Sequence, residues 1–207
     1  MSPQELDQLA RQGYTRVPVV REVLADLDTP LSAYRKLASG PYTYLFESVQ
    51  GGERWGRYSI IGLPATEVVR ITGQQVQVDG PDGRQQEDVA DPIAWVEGYR
   101  QAYRSPDLPG LPRFNGGLVG YFGYDSVRFF EPRLGPAPGE DVLGVPDILL
   151  MRSEEVVVFD NLRGALFLVV HVDPTEEGVL MRAKQRLDAL ETQLRSPLPE
   201  PEHTVYG

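Results

Sequence analysis

The feature that most constrains the fold is the alternation of capped helix starts with short runs of β-forming residues. Three helices are predicted where a capping side chain precedes proline, at Asp28-Thr29-Pro30, Asp91-Pro92 and Asp173-Pro174. The capping oxygen accepts an otherwise unpaired N–H, and proline in the first turn has no N–H to leave unpaired. In the third helix, apolar residues recur three and four positions apart from Val179 to Leu194, so one face should pack on the rest of the protein.

Eight runs rich in Val, Ile, Tyr and Phe lie between these helices and are separated by Gly, Asp and Asn. This composition predicts strands joined by tight turns, with Asp160–Gly164 as one hairpin turn. The order helix, strands, helix, strands, helix predicts a duplicated unit in an α+β fold with antiparallel sheets. The runs are YTYLFESV, RYSIIG, TEVVRITG, QQVQVDG, GGLVGYFGY, DILLMRS, EVVVFDNLRG and ALFLVVHV.

Composition excludes several classes of function. The 207 residues include 20 Lys and Arg against 30 Asp and Glu, and the resulting net charge of −10 argues against nucleic acid as a partner. Cysteine is absent, and the two histidines, His171 and His203, have no plausible catalytic or ligating neighbour in sequence. No membrane-length apolar run and no signal-peptide pattern occurs, so we expect a cytoplasmic protein with no membrane partner.

One predicted hairpin, LFESVQGGERWGRYSIIG, carries the residues that could bind a ligand. It gathers the carboxylate of Glu47, the hydroxyl of Ser48 and several guanidinium groups, including that of Arg57, around a Gly-Gly turn. A carboxylate can meet an α-ammonium group and an arginine fork can meet an α-carboxylate, so this set suits an amino acid. The alternative is a surface hairpin whose charges are merely solvated.

Two other motifs are predicted to be structural. The glycine-rich stretch NGGLVGYFGYD lacks both Gly-Lys-Ser/Thr and G-x-G-x-x-G, so its glycines indicate close backbone approach instead of a phosphate loop. The acidic pairs Glu154-Glu155 and Glu176-Glu177 are expected to be solvated ends or charges in the first turn of a helix, and not an acid–base pair.

The chain resembles the amino-terminal region of anthranilate synthase component I, the large subunit of a chorismate-utilising enzyme. The matching text is VPVVREVLADLDTPLSAYRKLASGPYTYLFESVQGGERWGRYSIIGLPA, GGLVGYFGYDSVRFFE and VPDILLMRSEEVVVFDN, in that order. This resemblance implies an α+β fold in which two orthogonally packed antiparallel sheets carry outer helices. It also implies that residues 1–195 form the amino-terminal domain and that 196–207 are a linker toward a missing chorismate-binding domain.

The resemblance further implies a feedback site for L-tryptophan, to which Glu47, Ser48 and Arg57 contribute. The family converts chorismate and ammonia to anthranilate and pyruvate in tryptophan biosynthesis, with Mg²⁺ in the intact enzyme and a glutamine amidotransferase subunit as partner. The catalytic and metal-binding residues belong to a second half, so this chain alone should bind no metal and be inactive.

Two other functions remain open. The large subunit of aminodeoxychorismate synthase shares the fold and substrate, although the match around GGERWGRYS favours the anthranilate branch. The chain could also be a non-catalytic module that binds an amino acid or docks a subunit.

Overall fold

The computed structural model describes residues 1–24, 28–47, 56–135 and 143–198, which form four α-helices and ten β-strands. The helices are α1 (Pro3–Arg11), α2 (Pro30–Leu37), α3 (Pro92–Ala102) and α4 (Val179–Leu194). The strands are β1 (Val17–Leu24), β2 (Tyr44–Phe46), β3 (Tyr58–Gly62), β4 (Glu67–Thr72), β5 (Gln75–Gly80), β6 (Gly83–Asp88), β7 (Gly117–Phe122), β8 (Ile148–Ser153), β9 (Glu155–Asp160) and β10 (Ala165–Val172). Two short 3-10 helices, Tyr124–Phe129 and Pro132–Leu134, follow β7.

Two of the three predicted helix starts are confirmed. Thr29 caps α2 by accepting the N–H of Ser32, and Asp91 caps α3 by accepting those of Ile93 and Ala94. The third start was wrong, because α4 begins at Val179 after a left-handed Gly178. The Asp173 side chain instead accepts the N–H of Thr175 at 2.9 Å, which forms a turn before the helix.

The strands form two five-stranded antiparallel sheets, which confirms the predicted α+β class. The first sheet has the order β1-β10-β9-β3-β2 and the second has the order β6-β5-β4-β8-β7. The chain passes between the sheets twice, from β3 to β4 and from β8 to β9. Because β3 pairs with β9 and β4 pairs with β8, these two crossings are adjacent, and we call residues 62–67 and 153–155 the corner.

Helices cover one face of the first sheet. Buried side chains of α4 pack on β10, together with residues of α1 and α2; the α4 residues are Val179, Ala183, Leu187, Leu190 and Leu194. A separate cluster, built around Val156, Val158 and Phe167, fills the opposite face of the same sheet. The second sheet packs against α3 through Val69, Ile71, Val76 and Val96.

Candidate functional site

The structure places the predicted hairpin residues at one end of the β2–β3 pair. Glu47 directly follows β2 and is exposed, whereas Arg57 directly precedes β3. These two positions lie at the same end of the first sheet, because the strands are antiparallel and Phe46 is the partner of Ile60. Ser48 lies outside the described residues. The roles of all three in ligand binding stay a prediction.

Arg57 forms a two-bond ion pair with Asp160, the last residue of β9. Its Nε donates to Oδ1 at 3.0 Å and its Nη2 donates to Oδ2 at 2.6 Å. The Asp160 side chain is 1% exposed, whereas that of Arg57 is 36% exposed. The hydrogen bonds from Arg57 hold the pKa of the Asp160 carboxyl below its ordinary value. A ligand carboxylate could therefore meet the Nη1 and Nη2 end of Arg57 without displacing Asp160.

The predicted turn after β9 also holds the backbone that leads into β3. Asn161 donates its N–H to the carbonyl of Arg57 at 2.8 Å, and its side-chain Nδ2 donates to the carbonyl of Gly56 at 3.2 Å and to Ser59 Oγ at 3.3 Å. Asp160 Oδ1 accepts the N–H groups of the next residues, Leu162 and Arg163. The sequence alone did not connect this turn with the hairpin residues, which lie about one hundred positions earlier.

A second polar cluster lies at the corner. Glu154 is the single residue between β8 and β9, and its side chain is 14% exposed. Its Oε1 accepts from Arg16 Nε at 2.7 Å and lies 3.3 Å from Arg152 Nε, while its Oε2 accepts from the Thr66 hydroxyl at 2.8 Å. The expectation of a solvated charge at this position was wrong, because two guanidinium groups enclose the carboxylate.

Further buried contacts join the two sheets at the corner. The Tyr44 and Ser153 hydroxyl groups lie 2.7 Å apart, and burial raises the pKa of Tyr44 to about 12. Gly62 leaves room for the Tyr44 ring, because a Cβ at Gly62 would lie 1.9 Å from Cε1 of that ring. Glu155, also expected to be solvated, pairs with Arg186 through bonds of 2.8 and 2.7 Å.

His171 is buried beside the corner, and both of its ring nitrogens lie within hydrogen-bonding distance of uncharged side chains. Its Nδ1 lies 3.1 Å from the Tyr103 hydroxyl, and its Nε2 lies 3.1 Å from Asn115 Oδ1. A Cβ at Gly116 would lie 2.1 Å from His171 Cε1, so the glycine allows the close approach that the sequence predicted for this stretch. Burial lowers the pKa of His171 to about 4. The ring is therefore uncharged near neutral pH.

A cleft of about 350 Å³ opens beside these groups and is lined by arginine and carboxylate side chains. Arg16, Arg182 and Arg186 are each paired there with an acidic residue. The positive charges of these arginines are thus balanced by acidic residues of the same cleft. Among the described residues, no group of three or more His, Asp or Glu side chains is arranged to hold a metal ion.

Aromatic side chains are exposed along β7 and the 3-10 helix that follows it. Tyr124 is 93% exposed and Phe130 is 63% exposed, and Tyr121, Phe122 and Val127 are exposed beside them. Among the described strands β7 lies at the edge of the second sheet, so no described strand pairs with one side of it. We call these residues the β7 surface. No helix in the described part of the chain is both long and apolar enough to cross a membrane.

Sequence comparison relates the chain to a family of biosynthetic enzymes. It is 55% identical over 200 residues to anthranilate synthase component 1 of Pseudomonas putida, covering 96% of this chain and 40% of that protein. The same protein of Pseudomonas aeruginosa is 54% identical over 200 residues, with the same coverage. That of Acetivibrio thermocellus is 35% identical over 189 residues, which cover 90% of this chain and 38% of that protein. No protein-family model matches the chain.

Structural comparison agrees with the sequence. The crystal structure of anthranilate synthase component I from Streptococcus pneumoniae matches with a TM-score of 0.57 and 25% identity, covering 86% of this chain and 37% of that one. The chain spans about 40% of the length of the curated relatives that it matches. Sequence and fold together identify the chain as a homologue of the amino-terminal region of anthranilate synthase component I.

Proposed function

We propose that this chain is the tryptophan-sensing part of an anthranilate synthase component I. The intact enzyme would convert chorismate, with ammonia from glutamine, to anthranilate and pyruvate. The observation that carries this function is the identity of up to 55% with anthranilate synthase component 1 over nearly the whole chain. We expect a cytoplasmic location, as for other enzymes that act on free metabolites.

Catalysis would belong to residues that this chain does not supply. Chorismate carries carboxylates, and Mg²⁺ would neutralise them if several oxygen ligands were placed together. The described residues offer no such group. We therefore expect the pure 207-residue chain to form no anthranilate from chorismate, with or without Mg²⁺ and ammonia, and measurable anthranilate would contradict this division of labour.

The β7 surface supports a contact with a chorismate-binding domain of the intact enzyme. Exposed aromatic side chains beside an unpaired strand edge are unfavourable in water and typical of a surface that another chain segment covers. A glutamine amidotransferase subunit would be a second partner of the intact enzyme.

Tryptophan would bind at the end of the β2–β3 pair. The exposed Glu47 carboxylate can accept the α-ammonium, and Arg57 can meet the α-carboxylate through Nη1. Phe46, half-exposed and 4.8 Å from the ring centroid of Tyr44, offers an apolar surface for the indole. Ser48 would complete the polar contacts.

The test is a calorimetric titration of the chain with L-tryptophan, with L-phenylalanine and L-leucine as controls. We expect weak saturable binding of tryptophan only, because part of the apolar wall would come from the chorismate-binding domain of the intact enzyme. Equal responses to all three amino acids, or none, would contradict a tryptophan site in this chain. A tryptophan-binding chain that forms no complex with a chorismate-binding domain would instead favour a separate binding module.

A further inference from the structure

We propose that Asp160 is a positioning residue of the amino acid site, which it serves by fixing the orientation of Arg57. This role rests on the proposed tryptophan-binding function. The residue lies in a turn that neither the hairpin motif nor the family resemblance singled out for binding. Its carboxylate nevertheless makes the two bonds that engage the Arg57 guanidinium.

The burial of the two partners shows which of them is fixed. Asp160 is almost fully buried and its carboxylate also accepts the N–H groups of Leu162 and Arg163 at 3.2 and 3.3 Å. Arg57 is more than one third exposed. The turn therefore holds the carboxylate in place, and the carboxylate in turn orients the guanidinium.

The pair with Asp160 uses two of the five guanidinium N–H groups and leaves the end formed by Nη1 and Nη2 for a ligand. A guanidinium is planar, so bonds from Nε and Nη2 to one carboxylate fix its plane and with it the direction of Nη1. The face of the guanidinium also lies 4.9 Å from the centroid of the Tyr58 ring, which restricts rotation further. An α-carboxylate could then meet Nη1 without displacing Asp160.

Replacing Asp160 by asparagine should disturb this orientation while keeping the shape of the side chain. The amide has a single acceptor oxygen, and its NH₂ group cannot accept from a guanidinium nitrogen. Arg57 would keep its charge but lose one of its two fixing bonds. A ligand that uses the α-carboxylate should lose affinity, and a ligand without that group should not.

The experiment measures dissociation constants of three ligands for the 207-residue chain by calorimetry or ligand-observed NMR. They are L-tryptophan, indole-3-propionate, which lacks the ammonium, and tryptamine, which lacks the carboxylate. For Asp160→Asn we expect about tenfold weaker binding of the first two and unchanged binding of tryptamine. Glu155→Gln is the matched control, because it alters a two-bond arginine pair at the opposite end of β9, and it should change none of the three.

A second variant covers the case in which Asp160→Asn does not fold, which thermal unfolding would reveal. Arg57→Lys keeps the charge but not the planar fork, and it should show the same selective loss for carboxylate ligands. An equal loss for all three ligands in a folded Asp160→Asn, or no loss there, would overturn the positioning role alone. The same results in Arg57→Lys would also overturn the contact between Arg57 and the α-carboxylate. Failure of the wild-type chain to bind L-tryptophan would overturn the proposed function and this role together.

Discussion

Acidification should destabilise the fold through His171, which is the buried histidine of the described residues. Its pKa is lowered to about 4 in the folded state, from about 6.5 in an unfolded chain. The unfolded chain therefore binds a proton at a higher pH than the folded protein does. The stabilising contribution of the neutral ring is complete above pH 6.5 and is lost as the pH falls toward 4.

The size of this effect follows from the same two values. A difference of about 2.5 between the folded and unfolded pKa corresponds to about 3 kcal/mol in the free energy of unfolding, at about 1.4 kcal/mol per pH unit. Groups near the ring act in opposite senses, because the Glu154 carboxylate favours the protonated ring and the Arg16 guanidinium opposes it. Burial has a larger effect than either charge, so the loss of solvation lowers the pKa of His171 overall.

Urea unfolding at several pH values between 7 and 4 would measure the effect. His171→Gln, which can still hydrogen-bond to the Tyr103 hydroxyl but does not titrate, is the comparison. We expect the free energy of unfolding of the wild type to fall more steeply with acidification than that of the variant. Carboxylates with lowered pKa values, such as Asp160, lose their contribution mostly below this range. Parallel curves for the two proteins would refute the assignment.

Four further outcomes are expected. Gly120→Ala should lower the free energy of unfolding in urea by about 3 kcal/mol or more, because its Cβ would lie 1.9 Å from the carbonyl oxygen of Leu149. Gly98→Ala should instead raise it by about 1 kcal/mol, because Gly98 lies on the exposed face of α3 with no atom outside its own helix within 4 Å of the added Cβ. In an enzyme with both halves, Ser48→Phe should abolish tryptophan inhibition and leave the maximal rate of anthranilate formation largely unchanged; unchanged inhibition would place the site elsewhere. The isolated chain should bind a hydrophobic dye and self-associate through the β7 surface, and a monomer without dye binding in light scattering would contradict this.

Local chemistry predicted much of this fold, but elements with atypical composition were missed. The helix α1 was not predicted, although Ser2 and Glu5 form a reciprocal capping box at its start. The strand β6, GRQQED, is exposed throughout and lacks apolar residues, so only its pairing with β5 makes it a strand. The strand β1 was not predicted either. It contains Pro18, which is tolerated because β1 lies at the edge of the first sheet.

The candidate site was predicted only in part, for a reason of distance along the chain. Glu47 and Arg57 are close in sequence and were grouped from the types of their side chains. The partner of Arg57 is Asp160, more than one hundred positions later, and it becomes a neighbour only because β9 pairs with β3. Likewise, Glu154 contacts Arg16 across a separation of 138 residues. Sequence spacing carries no information about contacts of this kind.

The adjacency of the two crossings at the corner makes the second sheet a nested insertion. All five of its strands and α3 lie between residues 63 and 154, while the strands on either side of this segment, β3 and β9, are direct neighbours in the first sheet. The ends of the inserted segment are already joined, since the N–H of Leu63 donates to the carbonyl of Glu155 at 3.0 Å. Replacing the insertion with a short turn would leave the strand order of the remaining sheet intact. The pairing of β1 with β10 closes the longest loop of that sheet, and the replacement would shorten this loop by about ninety residues. Folding should then be faster, because a shorter loop costs less entropy to close.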